Sequence, residues 1–189
     1  MNPTQTAADD LSYVKHALDR GERSPFPPAI AVLWAVISAI GFSLNDLAPE
    51  RAGLYWGVAA PLGFLLSIWL GHRGSRAAGV MDRREGMRWA LHFGSLLLAF
   101  FVAGVGVALG AFSGAQMGGI ALLLCGLAFL LAGIHLARRL AWVGLVMLAG
   151  LPLVLLLDQW RWTVVGAASA LAMLAVGWSG KGRRGGGEA

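Results

Sequence analysis

Apolar residues in this chain are gathered into six runs, at about 28–44, 52–71, 89–110, 118–137, 140–157 and 160–178, separated by short polar stretches. Each run holds about 17–22 residues. At about 1.5 Å rise per residue, a helix of that length spans roughly 26–33 Å, close to the roughly 30 Å hydrocarbon core of a bilayer. No run carries Asp, Glu, Lys or Arg in its middle. The period-two alternation of a transmembrane β-strand is absent. The pattern predicts an all-α, polytopic integral membrane protein, with a bundle of six transmembrane helices over residues 28–178.

Composition agrees. Hydrophobic residues make up 57% of the 189 and charged residues 13%, with a mean hydropathy of +0.67. Soluble domains carry about 25% charged residues, so this chain has too little polar surface to cover a water-soluble globule of its size.

Charge sets the expected orientation. Lys15, Arg20 and Arg23 precede the first run; Arg73, Arg76, Arg83, Arg84 and Arg88 surround the second connection. Arg138 and Arg139 mark the fourth connection, and Lys181, Arg183 and Arg184 the tail. Opposite them stand only Arg51 and Arg161. Such a bias over short loops predicts that both termini are cytoplasmic. Tryptophan favours the membrane–water boundary, and Trp56, Trp69, Trp89, Trp142, Trp160, Trp162 and Trp178 all fall near predicted span ends; Trp34 does not. The richness in Ala, Gly and Arg suggests a GC-rich bacterial genome, and hence an inner (plasma) membrane.

The polar mass lies on the predicted cytoplasmic side. Within residues 1–27, the stretch 7–20 reads as an amphipathic helix, with Thr6 and Asp9 as a capping box and Gly21 as its end. Leu11, Val14 and Leu18 share one face, suited to headgroups, to the 72–88 loop or to a protein partner. A largely polar stretch of about 26 residues before the first run argues against a cleaved signal, and Pro27 and Pro28 suit a first helical turn. The 72–88 loop is basic, as expected for lipid phosphates and topology control. No nucleic-acid fold or stacking pattern accompanies it. The tail, 179–189, is Gly-rich and basic and is expected to be disordered.

Glycine spacing predicts where helices approach. Gly106, Gly110, Gly114 and Gly118 fall four apart in "GVGVALGAFSGAQMGG". One helix over 89–137 would be about 73 Å long, so the chain must turn, with "AFSGAQ" as the expected place. Gly106 and Gly110 are then packing positions and Gly114 eases the turn. Gly119, Gly126 and Gly133 line one stripe of the fourth span, and Gly166 opens an alanine-rich face on the sixth. Spans three, four and six are expected to make the closest contacts.

Candidate chemistry is sparse. Ser113–Gly114 resembles two residues of the Gly-x-Ser-Gly motif of rhomboid-type intramembrane proteases, which also have six spans. Ala111 stands where the first glycine belongs, and His135 is about 30 Å away by helix rise, so no serine–histidine pair forms. His72, His92 and His135 are all expected near the cytoplasmic boundary, where they could hold a metal or ligate haem; the alternative is ordinary interfacial hydrogen bonding. Asp46, Glu50 and Asp158 sit at the outer edge, leaving no carboxylate within the membrane for ion coupling. Pro61 and Pro152 interrupt two spans, and Ser38, Ser43, Ser67, Ser95, Thr163 and Ser169 either line a polar path or bond to their own helices. The lone Cys125 lies mid-span and reads as a packing residue.

The sequence therefore predicts a non-enzymatic scaffold, accessory subunit or regulator facing the cytoplasm. Its expected partners are the lipid bilayer and either a second copy or a cytoplasmic protein. A transporter or channel for a small solute is the alternative, and a metal or haem protein using the three histidines a second.

Overall fold

A computed structural model describes residues 26–77 and 83–178. Among these residues there are six helices and no strand: α1 (Pro28–Leu47), α2 (Pro49–Ala77), α3 (Arg83–Ala108), α4 (Gly114–His135), α5 (Leu140–Leu156) and α6 (Arg161–Trp178). All but α5 are long and apolar enough to cross a membrane; α5 has 17 residues. The expected helix over 7–20 and the tail 179–189 lie outside the described residues.

The helix ends follow local chemistry. A single residue, Ala48, separates α1 from α2, where the sequence suggested a connection over 45–51. Ala48 precedes Pro49, whose ring bars the α conformation, and it adopts φ −153° and ψ 67°. Proline then opens α2, where a missing N–H costs nothing.

The α3–α4 turn corrects one expectation. Gly110, not Gly114, is the turn residue: it has φ +75°, while Gly114 is already the first residue of α4. The Ala111 N–H donates to Gly106 O at 2.8 Å and the Gly110 N–H to Val107 O at 3.0 Å, which is a Schellman ending. A Cβ on Gly110 would meet nothing within 4 Å among the described residues. Ser113 then caps α4. Its Oγ accepts from the Gln116 N–H, and Gln116 Oε1 accepts from the Ser113 N–H at 2.8 Å.

Consecutive helices pack against one another and α6 returns to α1, closing a ring. One apolar cluster fills it, drawing on Ala35 and Phe42 of α1, Leu122 and Phe129 of α4, Val143 and Met147 of α5, and Val165 and Met173 of α6. Two closures dominate. Along α1–α6, a Cβ on Gly177 would meet Ala31 Cβ at 2.6 Å, and one on Gly166 would meet Phe42 Cβ at 2.8 Å. Along α4–α5 the backbones themselves meet: a Cβ on Gly133 would strike the Ala141 backbone, and one on Gly144 would lie 2.7 Å from Gly126 O.

The closest contacts thus involve α1–α6 and α4–α5, not the third, fourth and sixth helices as a group. A glycine brings helices together only where the facing position leaves room for the approach. Gly126, Gly133 and Gly166 have such partners. Gly119 faces Leu151 Cδ1 at an ordinary 3.8 Å. Gly106 is covered by Phe112, folded back from its own loop. Both α2 and α3 ride on the outside of this core. Among their described residues only Ala52, Gly63 and Ala103 are buried.

Candidate functional site

Three interhelix contacts set the level of each side chain. The His92 Nε2 stands 2.9 Å from Ala128 O, placing His92 of α3 level with Ala128 of α4. A Cβ on Gly94 would touch Phe64 Cζ at 4.0 Å, placing Phe64 of α2 level with Gly94. Gly133 against Ala141 fixes α5 relative to α4.

These registers separate the histidines. His135 is seven residues beyond Ala128 on α4, hence about 10 Å nearer the helix end than His92 at about 1.5 Å per residue. His72 is displaced from His92 in the same sense on α2. Both His72 and His135 are exposed, whereas His92 is half-buried, edge-on to Phe93 and bonded to α4. Among the described residues, no three His, Cys, Asp or Glu side chains are placed to hold a metal ion. The expected ligand set is not brought together, because the imidazoles lie at two depths on three helices. With Nε2 as the donor to Ala128 O, His92 works as a tether between α3 and α4.

Four hydroxyls, those of Ser67, Ser95, Ser113 and Thr163, make hydrogen bonds. Ser67 Oγ donates to Gly63 O at 2.7 Å and accepts from Trp34 Nε1 at 2.9 Å. That bond explains why Trp34 lies away from the span ends: its indole N–H has a partner on α2, and its ring covers Gly63. Ser95 Oγ donates to His92 O at 2.7 Å. Thr163 donates from both its N–H and its hydroxyl to Asp46 Oδ2, at 2.7 and 2.9 Å. Ser113, the residue with the protease-like neighbour, is occupied as a helix cap. Ser38 and Ser169 are buried on the α1–α6 side, with Ser169 Oγ unpaired.

Among the described residues, no polar path follows the prolines. Pro61 and Pro152 are both exposed on the outside of the ring. A half-open apolar groove of about 350 Å³ lies between Pro28, Val32, Leu174 and Trp178 on the flank of α1 and α6. A second, about 380 Å³, lies on the flank of α1 beside Ile40, Ser43 and Leu47.

Two aromatic layers close the ring. Near one end, Phe42 stacks on Trp162 at 6.1 Å and meets Trp56 edge-on at 5.4 Å. Gly41 and Gly118 leave room for these two indoles. Towards the other end, Phe26 meets Trp89 at 6.0 Å, Trp89 stacks on Phe93 at 6.0 Å, and Phe93 reaches Phe129 at 5.6 Å.

Among the described residues, charge occurs only beyond those layers. At the basic end are Arg73, Arg76, Arg83, Arg84, Arg88, Arg138 and Arg139, with Glu85 as the one described carboxylate. The register places Arg73 level with Glu85 and Arg84 level with Leu136, so these groups form one band. At the opposite end Asp46, Glu50 and Asp158 accompany Arg51 and Arg161. No protein-family model, curated protein or solved structure matches this chain, so its functional reading rests on this geometry.

Proposed function

We propose that the chain is a six-span integral protein of a bacterial inner membrane, with both termini cytoplasmic, acting as a non-enzymatic scaffold or accessory subunit. One observation carries this reading: four of the polar side chains that the sequence offered for chemistry are engaged in capping or tying helices. Ser113 caps α4, His92 ties α3 to α4, Ser67 ties α2 to α1, and Asp46 ties α1 to α6. The band of arginines at one end supports the orientation, since basic residues stay on the cytoplasmic side. At 17 residues α5 is about 26 Å long, enough for a sixth crossing in a slightly thinned bilayer.

Two experiments test the parts separately. Reporter fusions after Gly110 and after Asp158 should be active only outside the cytoplasm, and fusions after Arg139 and at the C-terminus only inside it. A reversed pattern overturns the orientation. Affinity capture from mild detergent should retrieve a stoichiometric partner or a second copy of the chain. A lone monomer that behaves normally in cells after deletion of residues 1–20 would overturn the accessory role.

A further inference from the structure

Two properties coincide on the same pair of helices. Both α2 and α3 contribute least to the protein core, and they meet each other only sparsely. Their outward sides carry large apolar groups: Leu65 is 61% exposed, Trp69 53% and Leu91 66%. The ends of these same helices carry Arg73, Arg76, Arg83 and Arg88, all exposed. Neither the described start of α1 nor the described end of α6 has any charged residue. Among the described residues the basic band is densest on α2 and α3, and there it tops the barest apolar flank.

Arg73 shows how the two parts join. Its guanidinium carbon lies 5.4 Å over the Trp69 ring, laid back along α2. The charge therefore sits at the rim of the apolar surface, at the level where a lipid phosphate meets its acyl chains.

The geometry points to the α2–α3 flank as a docking surface for anionic phospholipids of the cytoplasmic leaflet. The phosphate pairs with Arg73, Arg76, Arg83 and Arg88, and the acyl chains cover the apolar groups below. The inference rests on the membrane reading above and adds a ligand class to it. Charge complementarity selects this occupant. A soluble acidic protein would match the arginines and leave the flank bare. A partner helix would match the flank and have no use for a basic rim. An anionic amphiphile matches both.

The test is native mass spectrometry of the intact protein released from nanodiscs of phosphatidylcholine and phosphatidylglycerol in equal amounts. The wild type should retain phosphatidylglycerol preferentially. Each arginine near the surface contributes about a fivefold preference, so the triple variant Arg76→Gln/Arg83→Gln/Arg88→Gln should lose at least about tenfold after allowance for screening. The control Arg51→Gln/Arg161→Gln, altered at the opposite end, should keep the preference. Should the triple variant fail to insert, the wild type alone decides: its preference must fall steeply as salt is raised. Equal retention of the two lipids by the wild type, a preference indifferent to salt, or release as a lipid-free dimer overturns the inference. Recovery of the protein in the soluble fraction, with no entry into nanodiscs, overturns the membrane reading itself.

Discussion

Asp46, in the last turn of α1, places Oδ2 2.7 Å from the backbone nitrogen of Thr163 and 2.9 Å from its hydroxyl, across 117 positions of sequence. Thr163 is the third residue of α6, where an N–H has no partner within the helix. The residue before the helix, Trp160, has no carboxylate or hydroxyl to cap it and holds φ 55°, a conformation costly for a side chain of its size. One helix thus supplies the cap that another lacks.

Removing that acceptor should cost about 1 kcal/mol. Asp46→Ala is expected to unfold earlier than the wild type by that amount, and Asp46→Asn to lose less, because its amide oxygen still accepts. Denaturant titration in mixed micelles, followed by circular dichroism, checks this. An alanine variant as stable as the wild type would show that the cap contributes nothing.

Glycines that look alike in sequence should behave oppositely. Gly133→Val and Gly144→Val each push a side chain into facing backbone and should destabilise by about 1–3 kcal/mol. A Cβ on Gly57 of α2 would meet no atom within 4 Å, so Gly57→Ala should be neutral or stabilise by up to about 1 kcal/mol. The same titration ranks the three, and equal effects would contradict the α4–α5 closure.

The α3–α4 turn offers a third comparison. Gly110→Ala forces a side chain into the left-handed region and should cost about 1–2 kcal/mol. Ser113→Ala removes one half of the capping box and should cost about 1 kcal/mol. Gly114→Ala should cost nothing comparable, since nothing lies within 4 Å of the added carbon. A larger penalty at Gly114 than at Gly110 would move the turn back to the place that glycine spacing suggests.

His92 separates tether from ligand. His92→Ala should weaken the α3–α4 contact by about 0.6 kcal/mol, with about 1.7 as the upper end for a hydrogen bond between membrane helices. Added zinc should leave the wild-type unfolding midpoint unchanged, because the other two imidazoles lie near a different level. A zinc-dependent rise abolished by His72→Ala or His135→Ala would show that the three do converge.

Sequence alone was enough for the number of apolar segments, the helical class and the sidedness of charge. These follow from local rules: a backbone in oil must satisfy its own hydrogen bonds, and arginine stays near water. Some site chemistry was also readable one residue at a time, as with the bonding of Ser67 and Ser95 to their own helices. The Ser113-x-x-Gln116 cap is legible by its spacing, since a serine three residues before a glutamine is the pattern of a capping box.

Tertiary structure alone decided which glycines mattered, where the histidines stood and what Asp46 held. Each of those depends on what a second helix presents at the same level. Gly106 and Gly126 are the same residue in similar surroundings along the chain; one meets Phe112 from its own loop and the other the Leu148 side chain of α5. Rotation and register between helices are set by many weak contacts acting together, and a stripe on a single helix contains only half of that information.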